Sequence, residues 1–144
     1  MNQKMRFVAV VAFLGGCVAP TSDEVARVNS PSGKLDAIVH ESSGGATTSF
    51  KYDVFVVERG AKAKPADVIT TLYGTTRNDD AYGLNLRWHT DDTLYVEYFK
   101  TKSIVTKPKS SIIGGITVQV LLRDGVVDAS APRGGMEYNL QQRK

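Results

Sequence analysis

The chain has 144 residues, 18 basic and 15 acidic side chains, a formal charge of +3 and one cysteine. That length suits one compact domain, and a single cysteine excludes an internal disulfide. Two of the cations, Lys4 and Arg6, fall in the leading segment, so the remainder is close to neutral and lacks the basic surplus of a nucleic-acid binder.

Residues 1–16 read as an export signal. Lys4 and Arg6 precede the apolar run from Phe7 to Leu14, and Gly15 and Gly16 lead to Cys17, the charged, apolar and small-residue order of a cleavable segment. The run is too short to span a bilayer, which takes about 20 apolar residues.

The string Leu14-Gly15-Gly16-Cys17 resembles the lipobox of bacterial lipoproteins. The resemblance implies a diacylglyceryl group on the Cys17 sulfur, cleavage just before it and acylation of the new amine. The expected product is anchored to membrane lipid without spanning it, since two or more acyl chains hold a protein stably. Val18 stands where the family's inner-membrane retention residue is aspartate, which implies delivery to the outer membrane, facing the periplasm, in a diderm host.

Residues 17–29 are small, polar and mixed in charge, and read as a lipidated tether, with Val25 and Val28 opening a strand pattern near its end. The β domain is expected over 30–128 and a flexible tail over 129–144. Its first full strand, Lys34 to Glu41, alternates Leu35, Ala37 and Val39 against Asp36, Ile38 and His40. A turn-rich connection, Ser42 to Ser49, leads to a strand from Tyr52 to Val57 that is apolar on both faces, the mark of a central strand covered on both sides.

A loop from Arg59 to Asp67, with room for a short helix within 61–69, precedes the strand Val68 to Tyr73, and a polar stretch runs from Gly74 to Tyr82. Leu84, Leu86 and Trp88 alternate with Asn85, Arg87 and His89, the turn Thr90-Asp91-Asp92-Thr93 follows, and Leu94 to Phe99 returns as the partner strand. The segment from Lys100 to Ser111 reads as a loop whose lysines 100, 102, 107 and 109 protect a strand edge or touch anionic headgroups. Ile116 to Arg123 is a further β-branched run, and Asp124-Gly125 favours a tight turn into Val126-Val127.

This pattern predicts a mainly β fold, a single antiparallel β-sandwich, meander or small open barrel of about six or seven strands. The Asn29-to-Lys34 turn and the hairpin from Trp88 to Leu94 locally resemble strands of TolB-like propeller repeats, although a whole propeller needs four to eight four-stranded blades. Together with the Gly44-to-Ser49 loop and the lipobox, they also resemble small uncharacterised bacterial lipoproteins, which carries no site residues across.

No catalytic or metal constellation emerges, and no cofactor is expected. Asp79-Asp80 and Asp91-Asp92 read as turn residues because aspartate bonds its local backbone, and neither pair has the ligand spacing of a calcium loop. A site built from His40, His89 and an acidic loop residue requires the fold to bring them together. The exposed loop residues Ser43, Gly44, Gly45, Thr47 and Thr48 form a candidate recognition loop, and Tyr95 and Phe99 a candidate aromatic patch.

The expected function is therefore a membrane-anchored envelope module that binds an envelope protein or cell-wall component. The alternatives are a small envelope hydrolase or metal-dependent enzyme using His40 and His89, and an inhibitor of exogenous hydrolases acting through residues 42–49.

Overall fold

The computed structural model describes residues 22–131. Its elements in chain order are β1 (Ser22–Asn29), β2 (Leu35–Ser43), β3 (Phe50–Glu58), a 3-10 turn (Pro65–Asp67), β4 (Val68–Tyr73), β5 (Arg77–Asn78), β6 (Ala81–Tyr82), β7 (Leu84–Trp88), β8 (Thr93–Tyr98), β9 (Ser103–Thr106), β10 (Ser111–Ile113) and β11 (Ile116–Arg123). A five-stranded sheet in the order β1-β2-β3-β4-β9 faces a four-stranded sheet in the order β10-β11-β8-β7, and β5 and β6 form a small separate ladder. The fold is an open β-sandwich.

Period-2 alternation explains the core. Leu35, Ala37 and Val39 of β2, Tyr52, Val54 and Val56 of β3, and Ile69 and Leu72 of β4 meet Leu84 and Leu86 of β7, Leu94, Val96 and Tyr98 of β8, and Val118 and Val120 of β11. β3 occupies the middle of its sheet. Its alternate side chains Phe55 and Val57 form a second buried cluster with Ile38 on the outer face, against Ala63 and Val68. The doubly apolar strand is thus covered on both sides.

The chain over that outer face is held by Asp36, whose side chain is almost fully buried. Its Oδ2 accepts from Arg27 Nη1 at 2.6 Å and from the Gly60 amide at 2.9 Å, and its Oδ1 accepts from Asn29 Nδ2 at 2.6 Å. Arg27 in turn makes a forked pair with Glu24 at 2.7 and 2.9 Å and donates to the Ala61 carbonyl. One carboxylate therefore joins β1, β2 and the turn that follows β3.

The two sheets are also joined at one lateral side. Trp88 Nε1 at the end of β7 donates to the Val28 carbonyl of β1 at 3.0 Å. The Ser32 amide in the β1–β2 turn donates to Asp91 Oδ1 in the β7–β8 turn at 2.6 Å. These are the two turns that share the local propeller-like pattern, and Asp91 does more than shape its own turn.

Four expectations are corrected. Residues 22–29 are the edge strand β1, paired antiparallel with β2 from Ser22↔Ser42 to Asn29↔Asp36, and are not tether; Asp23, Glu24 and Arg27 suggested a solvated linker, but edge strands carry charge readily. The Lys100-to-Ser111 loop contains β9 and the start of β10. The polar stretch Gly74 to Tyr82 contains the β5–β6 ladder, whose Ala81 and Tyr82 are buried. Val126-Val127 is no strand; the Gly125 and Val126 amides donate to the Phe99 and Tyr98 carbonyls instead.

The tight hairpin lies one turn earlier, at Gly114 and Gly115, whose φ angles of +56° and +79° suit a two-residue connection between β10 and β11. It delivers β11 parallel to β8, from Gln119↔Thr93 to Arg123↔Glu97, the exception among antiparallel pairings. Among the described residues there are eleven strands, against the six or seven expected. Cys17, the signal over 1–16 and residues 17–21 of the tether lie outside the described residues, as do 132–144 of the expected tail.

Burial opposes charging Asp36, but the Gly60 amide, Arg27 and Asn29 more than offset it and hold its pKa below the ordinary 3.8. Its contribution to stability is therefore complete above that ordinary value and is lost as the pH falls through the lower folded one. Asp36→Ala should lower stability by roughly 2–4 kcal/mol at neutral pH. In urea denaturation the variant should also lose less stability than the wild type on acidification below about pH 4.

Candidate functional site

Strand register lays a polar row across the outer face of the five-stranded sheet. Glu24 pairs with His40, His40 with Asp53, Asp53 with Thr71, and Thr71 with Thr106. From His40 to Thr106 the row is the floor of a groove of ≈ 690 Å³ to which β1 adds Ser22, within the volume range of ligand clefts. Phe55, Val68, Ala63, Pro65 and Val105 supply its apolar walls, and Lys51 and Lys64 its cations.

The floor is pre-set by its own contacts. Asp53 accepts from the Thr71 hydroxyl on Oδ1 at 2.7 Å and pairs with Lys51 Nζ through Oδ2 at 2.8 Å. The His40 ring leans on Phe55 with 4.8 Å between centroids, and its Nε2 is 4.0 Å from Glu24 Oε2. Arg27 holds the Glu24 carboxyl below its ordinary pKa, against the opposing effect of burial. A polar ligand with an apolar edge meets fixed acceptors, donors and a ring here without rearranging the floor.

A hydroxyl nucleophile activated by a histidine needs the two side chains within hydrogen-bond reach and a third group that orients the ring. In the groove, the Thr71 hydroxyl bonds the Asp53 carboxylate, whose second oxygen is taken by Lys51. His40 and His89 do not meet. His40 stands on the outer face of the five-stranded sheet, whereas His89 stacks on Tyr95, 5.3 Å between centroids, beyond the four-stranded sheet. The sandwich core separates them, and a site using both is overturned.

The acidic pairs serve their turns. Asp79 and Asp80 sit between β5 and β6, where Asn78 Oδ1 accepts from the Asp80 and Ala81 amides. Asp92 Oδ1 accepts from Thr90 and Thr93. Among the described residues no three His, Cys, Asp or Glu gather as metal ligands.

Of the candidate loop, Gly44, Gly45, Thr47 and Thr48 are exposed and Ser43 is half-buried. Thr48 bonds the Gly45 carbonyl through its amide and hydroxyl, while the Ser49 amide donates to the Tyr73 hydroxyl and fixes the loop's end. Tyr95 lies on the outward side of the four-stranded sheet, with the Arg87 and Arg123 guanidiniums 4.9 and 4.8 Å from its ring. Both arginines also pair with Glu97, so the tyrosine is flanked by two cations.

The sandwich interior ends in a polar cluster that the sequence pattern does not announce. Glu41 continues the inward series of β2 and pairs with Arg77 at 3.4 Å. The Arg77 guanidinium lies 3.8 Å from the Phe50 ring and 4.5 Å from the Tyr82 ring, and also donates to the Tyr82 hydroxyl. Burial, and after it the Glu41 charge, pushes the neighbouring Tyr52 hydroxyl well above its ordinary pKa. Gly83, at φ +72°, backs onto that hydroxyl so closely that a Cβ would stand 2.7 Å from it.

The sequence marks His40 as a candidate but not Lys51, Asp53 or Thr71. Asp53 carries the usable signal, a charged residue inside a run that is otherwise apolar on both faces. Thr71 becomes visible only through register, because it comes from a strand eighteen residues away.

Replacing Arg77 with leucine should strand the Glu41 carboxylate and cost about 3 kcal/mol, whereas Arg77→Leu with Glu41→Leu should recover much of the loss. Denaturation midpoints of the two singles and the double provide the measurement. No family model matches the chain, and neither does any curated protein or solved structure.

Proposed function

We propose that the chain is a lipid-anchored, non-catalytic binding module of a bacterial envelope. Acylated Cys17 holds it to the membrane, and the groove over the five-stranded sheet takes a segment of a cell-wall component or envelope protein. The observation that carries this reading is the groove itself, an apolar wall over a floor of fixed polar side chains drawn from five neighbouring strands. Sites on a rigid sheet lose little freedom on binding, which favours recognition by shape and hydrogen bonding. The hydroxyl, carboxylate, amine and ring on the floor match the mixed polar and apolar surface of a glycan strand with its stem peptide.

Two experiments test the two halves. Cys17→Ser should abolish incorporation of labelled palmitate and release the protein from the membrane fraction, and unchanged acylation refutes the anchor. For the groove, soluble muropeptides should perturb the amide resonances of Lys51, Asp53, Thr71 and Thr106. Thr106→Arg, which fills the groove from an edge strand without touching the core, should weaken that binding at least about tenfold. Perturbations confined to residues 43–48 would move the site to the loop and reject the groove.

A further inference from the structure

Between Glu97 and Asp124 the chain carries no acidic residue, yet it carries Lys100, Lys102, Lys107, Lys109 and Arg123. The fold gathers the four lysines along one side of the sandwich. β9 is the outer strand of the five-stranded sheet and β10 that of the four-stranded sheet. Lys107 and Lys109 sit in the crossing between them, and Lys100 and Lys102 just before β9. All four are exposed.

Apolar side chains share this flank. Among the described residues five large hydrophobics are exposed, and Ile104 at 40%, Val105 at 63% and Ile112 at 76% belong to β9 and β10. The segment is firmly presented: Thr101 Oγ1 and the Lys102 amide donate to the Tyr73 carbonyl, and Thr70 Oγ1 donates to the Thr106 carbonyl. Lys102 Nζ bonds the neutral Ser49 hydroxyl and so keeps its charge uncompensated there. Glu58 stands beside Gly114 at the far end, and Asp53, paired with Lys51, shares the groove with Val105 and Thr106.

Edge protection accounts for the lysines but not for Ile112, nor for the exposed part of Val105 beyond the groove wall, and such side chains on a bare edge invite aggregation. A surface combining a row of cations with protruding aliphatic side chains has the chemistry of an interfacial contact. The ammonium groups meet anionic headgroups while the apolar groups enter the headgroup boundary.

We infer that the β9–β10 flank, residues 100–113, docks on a bilayer surface bearing anionic lipid. This contact lies in the domain itself and does not depend on a lipid at Cys17. It sets which side of the sandwich faces the membrane, and it leaves the opposite flank, where β7 is bonded to β1, turned away from the headgroups.

The test uses the processed chain, residues 17–144, carrying Cys17→Ser so that no acyl chain contributes. Flotation is compared with vesicles of phosphatidylcholine alone and with vesicles containing roughly one third phosphatidylglycerol. The expected result is partition into the anionic vesicles only, lost when salt shortens the Debye length from about 10 Å to about 3 Å. Lys107→Glu with Lys109→Glu should reduce that partition at least about tenfold, and Val105→Ser with Ile112→Ser should reduce it at low salt while leaving the salt dependence in place. Circular dichroism and urea midpoints check that both variants remain folded.

Equal partition into both vesicle types, or anionic binding unaffected by the lysine replacements, overturns the inference. So does retention on immobilised polyglutamate without binding to either vesicle, which assigns the flank to an acidic protein partner. Because the acyl chain is absent throughout, none of these outcomes bears on the anchor reading.

Discussion

β3 presents apolar side chains on both faces, and water must be kept from each. Val54 and Val56 on one side require a second sheet, which β7, β8 and β11 supply. Phe55 and Val57 on the other require a covering that no sheet provides, so the chain after β3 folds back over them and is tied there by Asp36. That covering extends over only part of the outer face. The groove is the part left open, where the side chains on β2, β3 and β4 change from Ile38, Phe55 and Val68 to His40, Asp53 and Thr71.

The readable parts of the sequence were those whose partners are local and whose alternation is clean. β2, β3 and the β7–β8 hairpin follow from period 2 and from the turn residues between them. β1 was obscured because its charges read as solvated, whereas Arg27 pairs with Glu24 on its own strand and with the buried Asp36 of β2. β9 and β10 were obscured because short edge strands need little hydrophobic pattern, and the tight turn lies at Gly114-Gly115, before β11, rather than at the Asp124-Gly125 pair that the sequence pointed to. The parallel pairing of β8 with β11 follows from neither propensity nor turn chemistry; it results from the path the chain takes through the other sheet. For the same reason the candidate site was visible as one histidine and not as the row that surrounds it.

Three arginines show how one side chain takes different roles according to depth. Arg27 spans β1 and the turn after β3 with its charge half in water. Arg77 closes the end of the core between two aromatic rings and against Glu41, where solvent no longer screens the pair. Arg87 lies on the open face of the smaller sheet, where its contact with Glu97 is screened. A planar guanidinium that both stacks and forks hydrogen bonds suits all three positions, and lysine would serve none of them equally.

The order in which the strands enter the two sheets has a consequence for how the domain comes apart. β1 to β4 build one sheet and β7 and β8 begin the other, but β9 returns to complete the first before β10 and β11 complete the second. Neither sheet is made from a continuous stretch of chain. No cut in the sequence therefore yields a half with finished edges, and sub-domains that unfold separately have no natural boundary. Such interleaving favours a single cooperative transition, and it places the rate-determining closure on contacts between distant segments. Ribosomal synthesis must deliver β9 before the first sheet is whole and β11 before the second is, so both stay unfinished while the strands from β1 to β8 emerge.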